Sequence, residues 1–448
     1  DYRWNLFYQS SGSKFVTGCI SFASGSLSNT HMNFSHEESF AHKMDEQDSL
    51  KKFRNQFHIP PAHQKNQSIY FCGNSLGLQP KKAEKYVQQK INNWRLMGVK
   101  GHSKGDTPWF PYHEFLTDHT SELVGGLPSE VVVMNSLTVN IHLLMVSFYR
   151  PTKERYKILI EDHAFPSDRF ALESQARFHG FSPDEAIVTM KSSLGNPCIT
   201  TDEILYYINR EKDNLALIFI GGVNYFTGQV FDMKTITEAG HRAGCIVGFD
   251  LAHGAGNILL NLHDWRVDFA AWCGYKYLNG GPGSLSGVFI HENHHGNAEL
   301  PRFNGWWGHN KNTRFDMENS FDSLNGAEGW QCSNPPIFPL ASLRASMELF
   351  HSTGIKSLRE KSKLLTSYLS FLLNDLSLEI ITPVSPQERG CQLSIILEKR
   401  GRKVFQGLTQ KGVVADWREP NVIRVAPVPF YNTFYEVWKF IELLKEEM

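Results

Sequence analysis

The chain has 448 residues, of which 41% are hydrophobic and 12% aromatic, so it can bury a large core and is long enough for more than one domain. Its 45 Lys and Arg residues balance 46 Asp and Glu residues, and the formal net charge of -1 provides no long-range field that favours nucleic acid or an anionic membrane surface. The expected ligand is therefore a small molecule.

Cysteine usage and apolar runs indicate where the protein resides. The seven cysteines include no CxxC pair, and their odd number suits a reducing compartment better than a disulfide framework. No apolar run approaches the roughly 20 residues of a membrane helix. Residues 1–40 are rich in Ser, Gly, Asn and His and lack an apolar signal core, so we expect a flexible N-terminal extension of a cytoplasmic protein.

Short β-rich runs alternate with helical patterns between about residues 130 and 292. This alternation is typical of βαβ units and predicts an α/β fold with a largely parallel sheet that is covered on both faces. The helix predicted over 234–243 ends at Gly244, a C-cap before the next strand. The predicted strands are VVVMN at 131–135, YKILIE at 156–161, AIVTMK at 186–191, LALIFI at 215–220, CIVGFD at 245–250, FAAWCG at 269–274 and SGVFIH at 286–291.

The pattern changes after SNPPI at 333–337. A Leu-rich helical stretch over roughly 340–375 is interrupted at Gly354 and is followed by shorter strand-like and helical runs. The chain closes with a helix from about Thr433, for which Asn432 is the predicted N-cap. We therefore expect an extension over 1–40, a large domain with an N-terminal arm over 41–340, and a small α+β domain over 341–448.

Polar residues follow two neighbouring predicted strands. CIVGFD ends in Asp250, and FAAWCG runs into Tyr275 and Lys276. Ligands of open α/β sheets bind beyond the carboxyl ends of the strands, so these side chains are expected to converge. A Lys buried among aromatic rings can become a Schiff-base nucleophile, and an Asp on the next strand can keep a pyridinium nitrogen protonated. The alternatives are a solvated loop lysine and an ordinary helix N-cap.

Two further segments suit a flat, phosphorylated ligand. The run SLT at 136–138 lies between a strand and a helix, whose first amides can bind a phosphate, although a simple helix cap is the alternative. The segment HAFPSD offers Phe165 to stack on a ring, together with Ser167 and Asp168, the alternative being a turn that starts a helix. The cluster HENHH at 291–295 is interpreted as solvated surface, and no metal site is predicted.

Eight runs of the sequence match one known family. They are YFCGNSLGLQP at 70–80, AFPSD at 164–168, FDLAHGAGN at 249–257, LHDWRVDFAAWCGYKYLN at 262–279, GWWGH at 305–309, SNPPI at 333–337, ERGCQL at 388–393 and IRVAPVPFYN at 423–432. Through them the chain resembles the kynureninase family from about residue 46 to its end. The resemblance implies a fold type I pyridoxal-phosphate enzyme with a large cofactor-binding domain and an active site shared across a homodimer.

The resemblance also implies roles for individual residues. Lys276 resembles the lysine that carries pyridoxal 5'-phosphate, Asp250 the partner of its ring nitrogen, and Phe165 the residue that stacks on its ring. Further cofactor contacts are implied for Leu137, Thr138, Ser167, Asp168, His253, Tyr275, Asn334 and, from the second subunit, Trp306. Substrate contacts are implied for Ser75, His102, Asn334 and Arg424. Arg424 is similar to the family's carboxylate anchor, a role that suits a guanidinium fork, and a structural salt bridge is its alternative.

Three positions depart from the family pattern. In IGGVNYFTGQ the family usually has Ser, His and Tyr where this chain has Gly221, Asn224 and Phe226. The family's Tyr is expected to contact the cofactor phosphate, and Phe226 cannot make that hydrogen bond. Losing one bond to a charged acceptor costs about 1.5–3 kcal/mol, so we expect weaker cofactor binding without its loss. Asn224 bears on substrate preference more than on catalysis.

The reaction that the resemblance implies is hydrolysis of the Cβ–Cγ bond of kynurenine or 3-hydroxykynurenine in tryptophan catabolism and NAD biosynthesis. The products are alanine and anthranilate or 3-hydroxyanthranilate, with Lys276 as the base at the α-carbon and Tyr275 as the acid. One alternative is another fold type I enzyme, such as a cysteine desulfurase or an aminotransferase. A cofactor-binding paralogue without catalysis is the other, and only Gly221 and Phe226 favour it. A nicotinamide enzyme is disfavoured because no GxGxxG follows the first strand.

Overall fold

The structure, a computed structural model, describes residues 33–62, 67–193, 196–317 and 319–448. Its α-helices are α1 Glu38–Gln47, α2 Lys81–Met97, α3 Thr117–Val124, α4 Leu137–Phe148, α5 Pro166–Phe178, α6 Pro183–Ala186, α7 Thr201–Glu211, α8 Met233–Arg242, α9 Ile337–Thr353, α10 Ile355–Asn374, α11 Gly401–Gln410 and α12 Phe434–Glu447. Its strands are β1 Ile69–Tyr70, β2 Val131–Met134, β3 Lys157–Glu161, β4 Ile187–Met190, β5 Leu215–Gly221, β6 Ile246–Asp250, β7 Phe269–Trp272, β8 Ser286–Ile290, β9 Leu393–Ile396, β10 Val413–Val414, β11 Asp416–Arg418 and β12 Val422–Val425.

The seven strands predicted between residues 130 and 292 form one sheet. Its order is β2-β8-β7-β6-β5-β3-β4, and β8 runs antiparallel to both of its neighbours while the other adjacent pairs are parallel. The α/β class with a mainly parallel sheet is therefore confirmed. The carboxyl ends of β3, β5, β6 and β7 lie at one edge, where parallel α/β sheets bind their ligands.

Apolar residues cover both faces of this sheet. Along β3, Leu159 belongs to one buried cluster, while Ile158 and Ile160 belong to a second cluster on the other side. This division follows from the alternation of side chains along a strand, and it explains why the strands read as continuous apolar runs. The sheet therefore holds the site residues on a frame that is packed from both sides.

The C-terminal region has its own small sheet. Strands β11, β12 and β9 form an antiparallel three-stranded sheet, and β1 pairs in parallel with β10. Helices α9 and α10 are separated at Gly354, whose φ of +77° stops the first helix as predicted. Gly244, with φ of +71°, likewise follows α8. Residues 36–448 form one compact unit, and a division into domains at residue 340 remains a prediction.

The start of α12 corrects one prediction. Thr433 is the N-cap, because its hydroxyl accepts the amide of Glu436 at 3.0 Å and the Glu436 carboxylate accepts the amide of Thr433 in return. The side chain of Asn432, the predicted cap, instead accepts the amide of Val428 at 2.7 Å and donates to the carbonyl of Tyr70 at 3.1 Å. The tertiary bonds to these two backbone groups outcompete local capping.

The N-terminal prediction lies largely outside the described residues, which begin at residue 33. Within the described part, helix α1 starts at Glu38, slightly before the expected boundary at residue 40. None of the described helices is both long and apolar enough to cross a membrane. The six cysteines within the described ranges are free thiols.

Candidate active site

A cavity of about 230 Å³ opens at the carboxyl ends of β3, β5, β6 and β7. Nine residues singled out from the sequence line it, namely Leu137, Thr138, Phe165, Ser167, Asp168, Asp250, His253, Tyr275 and Lys276. They come from four separate stretches of the chain that the strand order brings together. The structure thus places nine of the eleven predicted cofactor residues around one space.

Lys276 is buried in this cavity and lies 3.0 Å from an imidazole. Its Nζ approaches the Nε2 of His253, and it also sits 5.6 Å from the centre of the Phe165 ring. Burial lowers the pKa of His253 well below its ordinary value, and the positive charge of Lys276 lowers it further. A neutral His253 is therefore the acceptor for Lys276. The hydrogen bond to His253 holds the Lys276 amine in the cavity, just beyond the end of β7.

Two carboxyl groups lie beside this amine. Asp250 ends β6 and accepts the amide of Ala252 through its Oδ1 at 2.7 Å, which fixes the side chain at the strand end. Asp168, in the first turn of α5, forms a side-chain hydrogen bond with Asp250, and burial together with the charge of Asp250 raises the pKa of Asp168 well above its usual range. The buried Asp168 carboxyl therefore holds its proton more tightly than an exposed aspartate does.

The opposite wall of the cavity suits an anion. The amino end of α4 begins after Ser136 and has no side-chain cap, so its first amides are free to bind a ligand. The hydroxyl of Thr138 in this first turn lies 2.8 Å from the hydroxyl of Ser167 in the first turn of α5. Asn135, with φ of +47°, makes the sharp turn from β2 into α4. Two helix starts and two hydroxyls therefore face one space.

Tyr275 lines the cavity next to the amine, since its ring centre lies 5.9 Å from the Nζ of Lys276. Burial raises the pKa of the Tyr275 phenol, and the neighbouring thiol of Cys273 raises it further. The phenol therefore keeps its proton at neutral pH. A protonated phenol next to an amine can serve as a proton donor.

Arg424 lies in β12 and is almost fully buried. Its guanidinium donates to the backbone carbonyl of Tyr225 at 2.6 Å and forms an ion pair with Asp416. Burial lowers the pKa of Arg424, and Asp416 opposes that effect. The structural salt bridge considered from sequence is therefore present. Its contact with Tyr225, which lines the cavity, also places the guanidinium next to the site.

Besides Arg424, four predicted residues do not line this cavity, which is formed by described residues of one chain. The ring of His102 stacks on Phe110 at 4.8 Å, while Ser75 is bonded through its amide to the carbonyl of Cys72. Asn334 is exposed, and Trp306 is 41% exposed with its indole nitrogen bonded to a backbone carbonyl of its own loop. The geometry leaves the roles of these four as predictions.

Sequence reasoning missed two polar residues that line the cavity. Glu161 is the last residue of β3 and ends its strand as Asp250 ends β6, so the same strand-end argument would have found it. Tyr225 lies in the turn after β5, where its ring meets the edge of the Phe165 ring at 5.2 Å. No pattern in the sequence distinguishes Tyr225 from its neighbour Phe226.

The three departures from the family pattern have structural consequences. Phe226 stacks on the His163 ring at 5.0 Å and does not line the cavity. Asn224 is buried, and its side-chain oxygen accepts the amides of Phe226 and Thr227 at 3.0 Å each, so it stabilises the turn. Gly221 leaves room for a carboxyl group, because a Cβ there would lie 3.0 Å from the Oε1 of Glu161.

The histidine-rich run after β8 is solvated surface, as predicted, only at Glu292 and Asn293. His291 is buried, its ring is parallel to that of His263 at 5.2 Å, and its Nε2 bonds the carbonyl of His263. His294 is partly buried and donates to Asp268 at 2.8 Å. These contacts are made to residues more than 20 positions earlier in the chain, so the local sequence does not reveal them.

The lining chemistry fits pyridoxal phosphate. Its phosphate needs amide and hydroxyl donors, which the starts of α4 and α5 supply, and its protonated ring nitrogen needs a buried carboxylate, which Asp250 supplies. Its aldehyde needs an amine such as that of Lys276, and its flat ring fits against Phe165. The donor set therefore matches each part of the cofactor.

Known relatives are similar to this chain over nearly its whole length. A family model described as the kynureninase C-terminal domain matches residues 358–444. A protein named kynureninase from Flavobacterium psychrophilum is 54% identical and aligns over 93% of this chain and 99% of its own length. One from Nematostella vectensis is 47% identical over 90% of this chain and 92% of its own length. Relatives in bacteria and in an animal thus agree on the family.

Solved structures share the fold at lower sequence identity. A cystine C-S lyase in complex with cysteine persulfide has a TM-score of 0.73 at 17% identity and covers 85% of this chain and 98% of its own. A cysteine desulfurase from Thermococcus onnurineus has a TM-score of 0.72 at 16% identity and covers 88% and 97%. These likenesses establish the fold type I architecture, and the high-identity relatives disfavour a desulfurase or an aminotransferase. The chain is a pyridoxal-phosphate enzyme that belongs to the kynureninase family of carbon–carbon bond hydrolases.

Proposed function

We propose that the chain hydrolyses the Cβ–Cγ bond of kynurenine or 3-hydroxykynurenine to alanine and anthranilate or 3-hydroxyanthranilate. One observation carries the proposal. Lys276, which follows β7, is buried with its Nζ 3.0 Å from the Nε2 of His253, and Asp250 lies at the end of the neighbouring strand β6. Pyridoxal phosphate supplies the electron sink for this chemistry when bound. Asp250 would hold its ring nitrogen, and Thr138 and Ser167 its phosphate.

Lys276 is the residue we assign to proton transfer at the substrate α-carbon. His253 accepts a hydrogen bond from its Nζ, and this contact orients the amine towards the cavity. The Tyr275 phenol, which keeps its proton, is assigned to protonation of the substrate β-carbon when the Cβ–Cγ bond breaks. In this proposal Lys276 is the base and Tyr275 is the acid.

Substrate orientation is assigned to Arg424. Its position beside Tyr225 lets the guanidinium bind the α-carboxylate at the edge of the cavity, and Asp416 holds it in place. The aromatic end of the substrate would extend towards the stacked rings of His102 and Phe110. Ser75 and Asn334 belong to the same proposed substrate surface.

Spectroscopy with product detection tests the function. Purified protein is titrated with pyridoxal phosphate while visible absorbance is recorded, and kynurenine and 3-hydroxykynurenine are then added while anthranilate or 3-hydroxyanthranilate is measured. We expect a cofactor band that is lost in Lys276→Ala, and faster product release from one of the two substrates. A band without product would support the non-catalytic paralogue. Absence of a band would contradict the assignment of the site.

We propose further that the active protein is a cytoplasmic homodimer in which Trp306 completes the partner's site. Trp306 is 41% exposed, its ring centre lies 5.3 Å from that of the exposed Phe315, and it lines a surface pocket together with the exposed Met317. Such a patch is typical of a surface that another protein covers. Shared sites would explain why Trp306 is absent from the cavity lining of a single chain.

Mixing of inactive variants tests the shared site. Lys276→Ala and Trp306→Ala proteins are unfolded together, refolded, and assayed as a mixture. In a shared site, hybrid dimers contain one cavity with both an intact Lys276 and an intact Trp306, so activity returns. The matched control mixes Lys276→Ala with His253→Ala, which lie in one chain's site and cannot restore each other. No recovery in the first mixture would place Trp306 in its own chain's site.

A further inference from the structure

Glu161 brings a third buried carboxyl group to the cavity, beside those of Asp168 and Asp250. Its side chain is 5% exposed, and its Oε1 accepts the amide of Gly221 at 3.0 Å. Its Oε2 is buried and has no hydrogen-bond partner among the residues the structure describes. A buried polar atom without a partner is costly, so this oxygen is expected to serve a group that enters the cavity.

The strand order explains where this oxygen lies. Strand β5 separates β3 from β6, and Gly221 at its end is in register with Asp250 on β6. A side chain at position 221 would stand against the Glu161 carboxyl, because its Cβ would approach Oε1 to 3.0 Å. The glycine therefore keeps Glu161 in the cavity wall, one strand beyond the carboxylate assigned to the ring nitrogen.

The charges around Glu161 are predominantly negative. Burial raises the pKa of Glu161, and the carboxyls of Asp250 and Asp162 raise it further. The hydrogen-bonding amide of Gly221 lowers it. The charge of Glu161 in turn adds to the effect of burial in raising the pKa of Asp168 and of the Tyr225 phenol. Among the described residues that line the cavity, Lys276 is the one Lys or Arg.

We propose that Glu161 is a positioning residue that binds the cofactor as a neutral acid, donating a hydrogen bond from Oε2 into the cavity. The inference rests on the proposed function because the ligand concerned is pyridoxal phosphate. That cofactor carries a phosphate, so an ionised Glu161 would add negative charge to a pocket that must accept an anion. Burial raises the pKa of Glu161 to about 7, which agrees with a group that is neutral in slightly acidic solution and ionises above it.

Cofactor affinity measured against pH tests this role. Cofactor-free wild type, Glu161→Gln and Glu161→Ala are titrated with pyridoxal phosphate between about pH 6 and 8.5, following visible absorbance. For wild type we expect the dissociation constant to rise by up to about tenfold per pH unit above 7, the limit for one linked proton. Glu161→Gln keeps a neutral donor, so that rise should vanish while affinity at low pH stays near wild type. Glu161→Ala should bind more weakly than Glu161→Gln at every pH.

The ratio of the dissociation constants of wild type and Glu161→Gln at each pH removes effects that both proteins share. A ratio that is constant with pH would overturn the proposal. An infrared difference spectrum of the cofactor-free proteins gives an independent reading, because a protonated carboxyl has a carbonyl stretch that Glu161→Gln lacks. We expect that band at about pH 6 and its loss at about pH 8.5, and its absence at both would also overturn the inference. Failure of the proposed function would show separately, as wild type that gives a cofactor band but releases no anthranilate or 3-hydroxyanthranilate.

Discussion

The guanidinium of Arg424 donates to the backbone carbonyl of Tyr225 over 2.6 Å, and this bond ties the small three-stranded sheet to the turn that follows β5. The two residues are far apart in sequence, yet one lines the cavity and the other lies in β12. The position of the proposed carboxylate anchor is therefore set by the same contact that holds the cavity wall.

Replacing Arg424 with Lys tests the anchor. A lysine keeps the charge but loses the fork that bonds Tyr225, Asp416 and a substrate carboxylate together. We expect KM for the substrate to rise about tenfold to a hundredfold, the cost of one or two charge-assisted bonds, with a smaller change in kcat. Arg418→Lys is the matched control, since Arg418 pairs with the same Asp416 but is more exposed. An equal rise in that control would move the anchor to Arg418.

Removing the imidazole of His253 should destabilise the protein even without cofactor. The buried Nζ of Lys276 would lose its acceptor, at a cost of about 1–3 kcal/mol. Unfolding in urea gives the free energy for His253→Ala and for His253→Gln, whose amide oxygen can replace the acceptor and should recover part of the loss. His42→Ala, at a position where the side chain is 54% exposed, serves as control. A loss in His253→Ala no larger than in that control would contradict the pairing.

Much of the fold followed from the sequence because its signals are local. Each of the seven sheet strands lies on an apolar run long enough to be recognised, and Gly354 marks the break between two helices. The predictions that the structure corrects concern residues whose conformation is set by tertiary contacts and not by the local sequence. Asn432 satisfies backbone groups of Val428 and Tyr70, so the cap passes to Thr433.

The site divides in the same way. Asp250 and Lys276 were identified because each directly follows a strand, and the sheet order then brings them together. The contact of Lys276 with His253 depends on how the loop after β6 folds back, which no spacing encodes. Burial of His291 depends on packing against His263, so the local sequence misled. Tyr225 and Phe226 cannot be ranked from sequence, since adjacent turn residues point in different directions.

Exchange of the aromatic residues after β5 tests which ring reaches the ligand. Phe226 packs on His163 outside the cavity lining, so Phe226→Tyr should change the dissociation constant for pyridoxal phosphate by less than about threefold. Tyr225→Phe removes a phenol that lines the cavity and should raise the dissociation constant for the cofactor, or KM for the substrate, about three- to tenfold. Titration and steady-state kinetics distinguish the two. Tenfold tighter cofactor binding by Phe226→Tyr would show that this ring does reach the phosphate.

The pH dependence of stability gives a test of Glu161 that needs no ligand. Its pKa is raised by burial from 4.5 to about 7, so between these values the folded chain binds a proton that the unfolded chain has released. Stability from this group is therefore fully present below about pH 4.5 and is lost as pH rises through 7, by about 3 kcal/mol in total. Glu161→Gln has no such proton and should lose less stability between about pH 5 and 8. Urea unfolding of cofactor-free protein measures the difference, with Glu360→Gln, whose side chain is 68% exposed, as the matched control. If wild type and Glu161→Gln lose equal stability over this range, Glu161 is already ionised in the folded chain and the carboxyl groups of the cavity share their protons in another way.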